Sequence, residues 1–174
     1  MRSALLVVDV QQGMFMPPTP AFQGEAVVEK IAGLLARARA QNLPVIHVQH
    51  DGGPGDVLER GSPGWQIHPG ITIAAGEPII EKRYCSAFQE TDLGSRLAAA
   101  GIERVIVAGL QTEFCIDTTC RAAMAQGLKV VLISDGHTTF DTPDLSAAQI
   151  IAHHNRTLAG GGFCELQPAS SLQL

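Results

Sequence analysis

The sequence has few cysteines, few aromatic residues, and neither a long apolar run nor a cluster of basic residues. Four cysteines without a CxxC pair are too few for a disulfide framework, which predicts a reducing compartment. The net charge of −5, without a block of lysine or arginine, argues against nucleic acids and acidic membrane surfaces as partners. The longest apolar run, near residues 104–110, is too short to span a membrane, and the first residues lead into a strand rather than a signal peptide. These absences predict a cytoplasmic protein with no nucleic-acid or membrane partner.

The composition is that of a globular protein. Of the 174 residues, 45% are hydrophobic and 17% are charged, so neither disorder nor a solvating tail is expected. A chain of this length can bury a core without disulfides or a structural metal. We therefore expect residues 1–174 to form one domain, either a compact enzyme or a binding domain.

Short apolar runs alternate with segments of helical periodicity along the whole chain. The apolar runs cover residues 4–10, 44–49, 78–81, 104–108, 129–134 and 162–166, and the helical segments cover residues 25–40, 92–100, 113–126 and 144–158. This alternation predicts an α/β fold with a mostly parallel, six-stranded sheet covered by helices on both faces. One irregular insertion, residues 51–76, is long enough to suggest a functional loop.

Polar side chains follow several of the predicted strands. They are Asp9 and Gln11, His50 and Asp51, Lys82, Gln111 to Cys115, and Asp135 with His137. In open parallel sheets, ligands bind beyond the carboxyl ends of the strands. We therefore expect these side chains to converge on one edge of the sheet.

Cys115 is the candidate nucleophile because it lies where a helix is predicted to begin, in RVIVAGLQTEFCIDTTCR. A helix N-terminus favours the thiolate and lowers the pKa of a thiol, and its N–H groups can also hold an oxyanion. The alternative is an inert buried cysteine, the commoner role of an isolated cysteine. Cys85, three residues after Lys82, is the rival nucleophile, but no predicted helix begins directly after it.

Asp9 and Lys82 complete a chemically competent set. A desolvated carboxylate at the end of a strand can exchange a proton near neutral pH, and an ammonium beside a thiol stabilises the thiolate. Taken alone, Asp9 is more typical of a turn and Lys82 of a surface. Together with Cys115 they supply a base, a cation and a nucleophile at three strand ends.

Three segments resemble the isochorismatase-like cysteine hydrolases, which include nicotinamidase, N-carbamoylsarcosine amidase and streptothricin hydrolase. They are LLVVDVQQGMF at 5–15, EKRYCSAF at 81–88 and VAGLQTEFCIDTTCRAA at 107–123. The resemblance implies a Rossmann-like, three-layer α/β/α sandwich, a homo-oligomer, and a catalytic triad of Asp9, Lys82 and Cys115. It also implies a cis peptide between Leu110 and Gln111, and an oxyanion hole made by the backbone N–H groups of Gln111 and Cys115.

The three strand-end residues fit nucleophilic catalysis, and the family resemblance implies the same chemistry. We therefore expect a hydrolase that cleaves a non-peptide C–N bond of a small amide or ureide through a thioester on Cys115. The first alternative is hydrolysis without a covalent step, as in isochorismatase itself, which lacks the cysteine. The second alternative is a catalytically silent domain that binds a metabolite.

No metal or other cofactor is expected. Nicotinamidases carry an Asp-x-His metal site after the second strand, whereas the matching residues here are His50 and Gly52, so the site is broken and nicotinamidase activity is disfavoured. A shift of one residue would instead offer His50, Asp51 and His68 as ligands. The alternative role of these residues is substrate binding or loop packing.

The candidate substrate-binding side chains are polar or aromatic residues at strand ends and in the long loop. They are Gln11, Phe15, His50, Trp65, His68, Gln111 and His137. A loop tryptophan either packs on a neighbour or forms the wall of a pocket. His137 is expected either to contact substrate or to satisfy a turn.

Overall fold

The computed structural model describes residues 1–173, whose strands form one six-stranded sheet. The strands are β1 (Ser3–Val8), β2 (Val45–His50), β3 (Ile79–Lys82), β4 (Arg104–Leu110), β5 (Lys129–Thr138) and β6 (Glu165–Gln167). Their order across the sheet is β3-β2-β1-β4-β5-β6, and each neighbouring pair is parallel. The predicted parallel α/β sheet is confirmed.

Four α-helices connect the strands. They are α1 (Gly24–Ala40), α2 (Leu93–Ala99), α3 (Asp117–Ala125) and α4 (Ala147–Gly160). A capping box made by Ser146 and Gln149 begins α4, three residues later than predicted. The predicted helix over residues 113–126 is divided into a π turn, Thr112–Ile116, and α3. None of the helices within residues 1–173 is both long enough and apolar enough to cross a membrane.

Both faces of the sheet are covered. All six residues of β1 are buried, and alternate residues enter opposite hydrophobic cores. Leu5 packs in the core beneath α1, where Ile31 and Leu35 are buried. Leu6 lies in the second core, which contains Leu97 of α2, Cys120 of α3 and Leu158 of α4. This arrangement is the predicted three-layer sandwich.

The order of the strands places a crevice at the carboxyl ends of β1 and β4. The chain builds β1, β2 and β3 toward one side of the sheet, and then continues with β4 on the other side of β1. Ligands bind at such a reversal of strand order. The residues that follow β1, β2, β3 and β4 therefore meet at one edge.

Gly109 allows β4 to lie very close to the end of β1. Its φ of +132° is in a region that favours glycine, and a Cβ built there would lie 1.9 Å from the carbonyl oxygen of Val8. Asp9, which follows Val8 in the chain, has a φ of +51°, which is uncommon outside glycine but is tolerated by aspartate. Any larger residue at 109 would therefore displace the backbone that carries Asp9.

Candidate active site

Lys82 stands at the centre of the three predicted catalytic residues. Its Nζ lies 2.7 Å from Asp9 Oδ2 and 3.1 Å from Cys115 Sγ. The same ammonium donates to the carbonyl oxygen of Tyr84 at 3.0 Å and lies 3.1 Å from His50 Nδ1. The side chains of Asp9 and Lys82 are fully buried. Residues from four separate segments thus converge, because β1, β2, β3 and the π turn after β4 end at the same edge.

The carboxylate of Asp9 has unused capacity to accept a proton. Neither of its oxygens accepts a well-aligned hydrogen bond from the residues that the structure describes, and the Lys82 ammonium is its close partner. One of its oxygens, a ring nitrogen of His50 and Cys115 Sγ lie within 4.8 Å of one another. A buried carboxylate with free acceptor positions requires an explanation, and the adjacent thiol supplies one.

The charges in this cluster favour a protonated thiol in the resting site. Burial and the Asp9 carboxylate raise the pKa of Cys115, while the Lys82 ammonium lowers it, and the net shift is upward. Burial lowers the pKa of Lys82, but Asp9 and Cys115 raise it by more, so the ammonium is retained. The expectation that the helix start lowers the pKa of Cys115 is therefore wrong for the resting site.

His50 belongs to the same cluster as a neutral side chain. Burial and the neighbouring Lys82 ammonium lower the pKa of His50. Asp9, His50 and Cys115 present atoms that could ligate a metal, all within 4.8 Å of one another. However, the Lys82 ammonium contacts all three residues at 2.7–3.1 Å, so a metal ion would have to compete with a buried cation already among them. This donor set does not fit a dedicated metal site.

The alternative metal site at His50, Asp51 and His68 is not assembled. The carboxylate of Asp51 accepts from the N–H groups of Gly53 and Arg60 and pairs with Arg83 at 3.1 Å. Asp51 therefore holds the loop that follows β2. His68 lies against the first turn of α1, where its Nε2 is 3.4 Å from a carboxylate oxygen of Glu25.

Gln11 connects the strand ends instead of contacting the cavity. Its side chain is completely buried, donates to the carbonyl oxygens of His50 and Trp65, and accepts from the N–H group of His50. Gln49 donates to the same Trp65 oxygen at 2.8 Å. The prediction that Gln11 binds substrate is therefore replaced by a positioning role for His50 and the long loop.

Phe15, Trp65 and His68, which were predicted to bind substrate, pack against other parts of the protein instead. The rings of Phe15 and His68 stack edge to face with centroids 4.5 Å apart, and His68 Nε2 lies 3.4 Å from a carboxylate oxygen of Glu25 in α1. Trp65 packs beneath Arg60, whose guanidinium is 6.0 Å from the ring centroid. None of these three aromatic residues lines the cavity at Cys115. They stabilise the loop and α1.

His137 supports the turn that carries the nucleophile. It lies within β5 rather than in a turn, because β5 continues to Thr138 after a register shift against β4. Its Nε2 donates to Asn155 Oδ1 at 2.9 Å, and its Nδ1 accepts from Thr112 Oγ1 at 2.8 Å. Asn155 in turn donates to the carbonyl oxygen of Ser134, which fixes the orientation of its amide. Burial lowers the pKa of His137 to about 4, so the ring is neutral and braces the first residue of the π turn.

An open cavity of about 560 Å³ leads to the Cys115 sulfur. Asp9, His50, Gln111 and Cys115 line it, as predicted. Sequence reasoning missed most of the remaining wall, which consists of Gly13, Met14, Met16, Pro17, Pro18, Thr19, Asp56, Val57, Leu58, Phe114 and Phe140. The length of the loop over residues 51–76 could have indicated that residues 56–58 line the cavity. The position of Phe140 after β5 could have indicated the same for Phe140. The segment 13–19 carried no comparable signal.

Cys85 also lines this cavity and remains the rival nucleophile. The sulfur that accepts a hydrogen bond from Lys82 is that of Cys115, which favours Cys115. Cys120 lies in the second core, and Cys164 is partly buried against that core.

The expected cis peptide between Leu110 and Gln111 is present. Gln111 and Cys115 both line the cavity, and the amide of Gln111 lies 3.8 Å from Met14 Sδ. The carbonyl oxygen of Gln111 accepts from the N–H group of Ile116 and closes the π turn. The two residues expected to form the oxyanion hole therefore border the space beside the thiol.

Comparison with known proteins agrees with this geometry. The family model of the Isochorismatase domain matches residues 3–157. A streptothricin hydrolase from Streptomyces noursei is 39% identical over 140 residues, which cover 80% of this chain and 51% of that protein. A maleamate amidohydrolase from Pseudomonas putida is 32% identical over 152 residues, which cover 77% of this chain and 71% of that protein.

Solved structures resemble the whole fold. The crystal structure of an isochorismatase from Pseudomonas putida superposes with a TM-score of 0.92 at 31% identity, and the match covers 99% of this chain and 90% of that one. The chain spans only about half the length of the streptothricin hydrolase that it matches.

Proposed function

This chain belongs to the isochorismatase family, and on that premise we propose that it hydrolyses a non-peptide C–N bond in a small amide or ureide. The observation that carries the proposal is the buried contact of Lys82 with both Asp9 and Cys115, at the end of an open cavity. This arrangement combines a base, a cation and a nucleophile. The name of one relative, maleamate amidohydrolase, supports an amide bond, and that of another, streptothricin hydrolase, supports hydrolysis.

The reaction begins with transfer of the Cys115 proton to Asp9. The thiol is protonated at rest, so the thiolate forms only as it attacks, and the Lys82 ammonium offsets the charge that develops on sulfur. The sulfur electron pair then forms a C–S bond to the amide carbon, and the carbonyl electrons move onto oxygen. The backbone N–H groups of Gln111 and Cys115 would hold that oxyanion, an interaction whose loss typically costs about 10² to 10³ in rate.

Collapse of this intermediate breaks the C–N bond. Asp9 returns its proton to the leaving nitrogen, the amine departs, and the acyl group remains on Cys115 as a thioester. A water molecule then attacks the thioester carbon and gives a proton to Asp9. Cleavage of the C–S bond releases the carboxylic acid, and Asp9 returns the proton to the sulfur.

The first test is trapping of the acyl group. The enzyme would be mixed with a panel of small amides, quenched in acid, and examined by intact and peptide mass spectrometry while ammonia or amine release is measured. We expect an acyl adduct on Cys115, and no turnover in Cys115→Ala. The matched control is Cys164→Ala, because Cys164 lies outside the cavity.

Three results would contradict a thioester on Cys115. Turnover that survives in Cys115→Ala would favour hydrolysis without a covalent step. An adduct that appears on Cys85, and disappears in Cys85→Ala, would assign the nucleophile to the rival cysteine. A folded protein whose Cys115 does not react even with iodoacetamide would favour the silent binding domain.

The proposal also covers the domain organisation, the location and the partners of the protein. We propose that residues 1–174 act as one domain in a cytoplasmic homo-oligomer, on a small-molecule substrate, without a nucleic-acid or membrane partner and without a cofactor. The close family resemblance over most of the chain supports the single domain. The ammonium at the centre of the cluster supports a reaction that needs no metal.

A further inference from the structure

The cavity at Cys115 presents negative charge and apolar surface, and this combination restricts its substrate. We infer that the site takes a neutral or cationic amide with an apolar group, and that it rejects amides bearing a carboxylate. Asp56 is the specificity-determining residue. This inference rests on the proposed function, because it concerns what reaches the Cys115 sulfur.

The apolar part of the wall is extensive. Met14, Leu58 and Phe140 line the cavity, and three large side chains at its border are unusually exposed: Met16 at 44%, Val57 at 53% and Phe114 at 51%. Exposed apolar side chains grouped around a cleft are typical of ligand-binding sites. An apolar substituent on the substrate would cover them.

The charged part of the wall is acidic. Of the cavity-lining residues in the described chain, none is an arginine or a lysine, whereas Asp9 and Asp56 are carboxylates. The charge of Asp9 is already offset by Lys82. His50 is neutral, because burial and Lys82 lower its pKa. Asp56 therefore leaves the cavity with one uncompensated negative charge.

Arg60 and Arg83, which follow β2 and β3, do not line the cavity. Arg60 forms an ion pair with Glu81 at 2.8 Å, and Arg83 forms one with Asp51 at 3.1 Å. Both arginines line a separate groove together with Lys82. A substrate carboxylate at Cys115 would thus meet repulsion without a free cation to pair with it.

Asp56 is held in place by its own loop. Its Oδ1 accepts from the N–H group of Leu58 at 2.7 Å, and a Cβ on Gly52 would lie 2.3 Å from that oxygen. Gly52 thus leaves room for the carboxylate to pack against the loop backbone. Its charge is also close enough to act on His50 beside the nucleophile. The loop thus holds this exposed carboxylate at the cavity wall.

The test uses thiol reagents that differ in charge, so that no substrate has to be known. Purified protein would react with methanethiosulfonates carrying a trimethylammonium, a sulfonate or a neutral methyl group. Each reagent forms a disulfide on a cysteine thiolate and releases methanesulfinate. The rate at Cys115 would be followed by peptide mass spectrometry and divided by the rate of the same reagent with a small free thiol.

We expect the ammonium reagent to modify Cys115 roughly tenfold faster than the sulfonate reagent, because one partly solvated charge gives about threefold attraction and about threefold repulsion. Asp56→Asn keeps the oxygen that accepts from Leu58 and should reduce this ratio to about three or less. The control is Glu59→Gln, which removes the same charge from an exposed residue of the same loop that does not line the cavity. It should leave the ratio unchanged, and 0.5 M salt should reduce the ratio in the unaltered protein.

The outcomes separate this inference from the proposed function. Equal rates with all three charges, or a ratio that Asp56→Asn does not change, would overturn the charge selectivity while leaving a reactive nucleophile. Faster reaction with the sulfonate would show that a cation does serve the cavity. Failure of even the neutral reagent at Cys115 would instead contradict the proposed function.

Discussion

Replacing Lys82 by methionine should destabilise the protein strongly, and replacing Asp9 as well should recover much of the loss. The two side chains are fully buried with Nζ and Oδ2 2.7 Å apart. Lys82→Met leaves Asp9 as an unpaired carboxylate in the interior. Asp9→Asn leaves the ammonium without its carboxylate. In the double variant neither charge remains.

The structure sets the size of these effects. At 2.7 Å and an effective dielectric constant of 20, the two charges attract by about 6 kcal/mol. Breaking a buried pair from one side typically costs about 3 to 5 kcal/mol, whereas removing both partners is often close to neutral. We expect a loss of about 3 to 5 kcal/mol in the free energy of unfolding for Lys82→Met. The double variant Asp9→Asn/Lys82→Met should lie within about 2 kcal/mol of the unaltered protein.

The assay is urea unfolding of the four proteins in a double-mutant cycle at pH 8. A matched exposed pair is available in Asp92 and Arg96, which lie 2.6 Å apart with both side chains about half exposed. The cycle of Asp92→Asn and Arg96→Met should give a coupling of about 0.3 to 0.5 kcal/mol. The distances are nearly equal, so burial is the main difference between the two cycles.

Equal coupling energies in the two cycles would refute the reasoning. That result would mean that water or a structural rearrangement screens the Asp9–Lys82 pair, and the proton transfer proposed for Cys115 would lose its low-dielectric setting. Recovery of stability without recovery of Cys115 alkylation in the double variant would separate folding from chemistry, as we expect.

Two further predictions concern residues that hold the site in place. Gly109→Ala should destabilise the fold and slow alkylation of Cys115, because its Cβ would lie 1.9 Å from a carbonyl oxygen of β1. The control Gly33→Ala lies at an exposed helical position with open space around it, and it should stabilise the protein by up to about 1 kcal/mol in the same urea assay. A similar, small effect of both substitutions would show that β1 and β4 can separate at no cost. Burial lowers the pKa of His137 from 6.5 to about 4. Between these pH values the unfolded chain binds a proton that the folded chain does not. The free energy of unfolding should therefore be at its full value above pH 6.5 and fall by about 3 kcal/mol by pH 4. His137→Gln should flatten this dependence in urea titrations across that range, and an unchanged slope would assign it to other groups.

Much of the site was predictable because it depends on local chemistry and on one topological rule. The apolar runs indicated six strands, and parallel strands end at a common edge. Asp9, Lys82 and Cys115 follow three of those strands, so their convergence followed from the fold class. The cis peptide before Gln111 came from family resemblance.

The aromatic and amide residues were harder to assign. The rule for strand ends places a residue at an edge but does not say where its side chain points. Gln11 turned inward to the backbone of His50 and Trp65 because these buried carbonyl groups need donors. The rings of Phe15 and His68 instead pack against each other near α1.

The sequence by itself determined the strands, the helices and the atoms able to do chemistry, because periodicity and side-chain type are local properties. The tertiary structure decided which of those atoms share a cavity, and that burial and the Asp9 carboxylate raise the pKa of the Cys115 thiol. Both depend on burial and on distances between residues far apart in the chain. Asp56 illustrates the difference: it is an ordinary loop aspartate in the sequence, and it becomes the uncompensated charge of the cavity only because the arginines near it pair elsewhere.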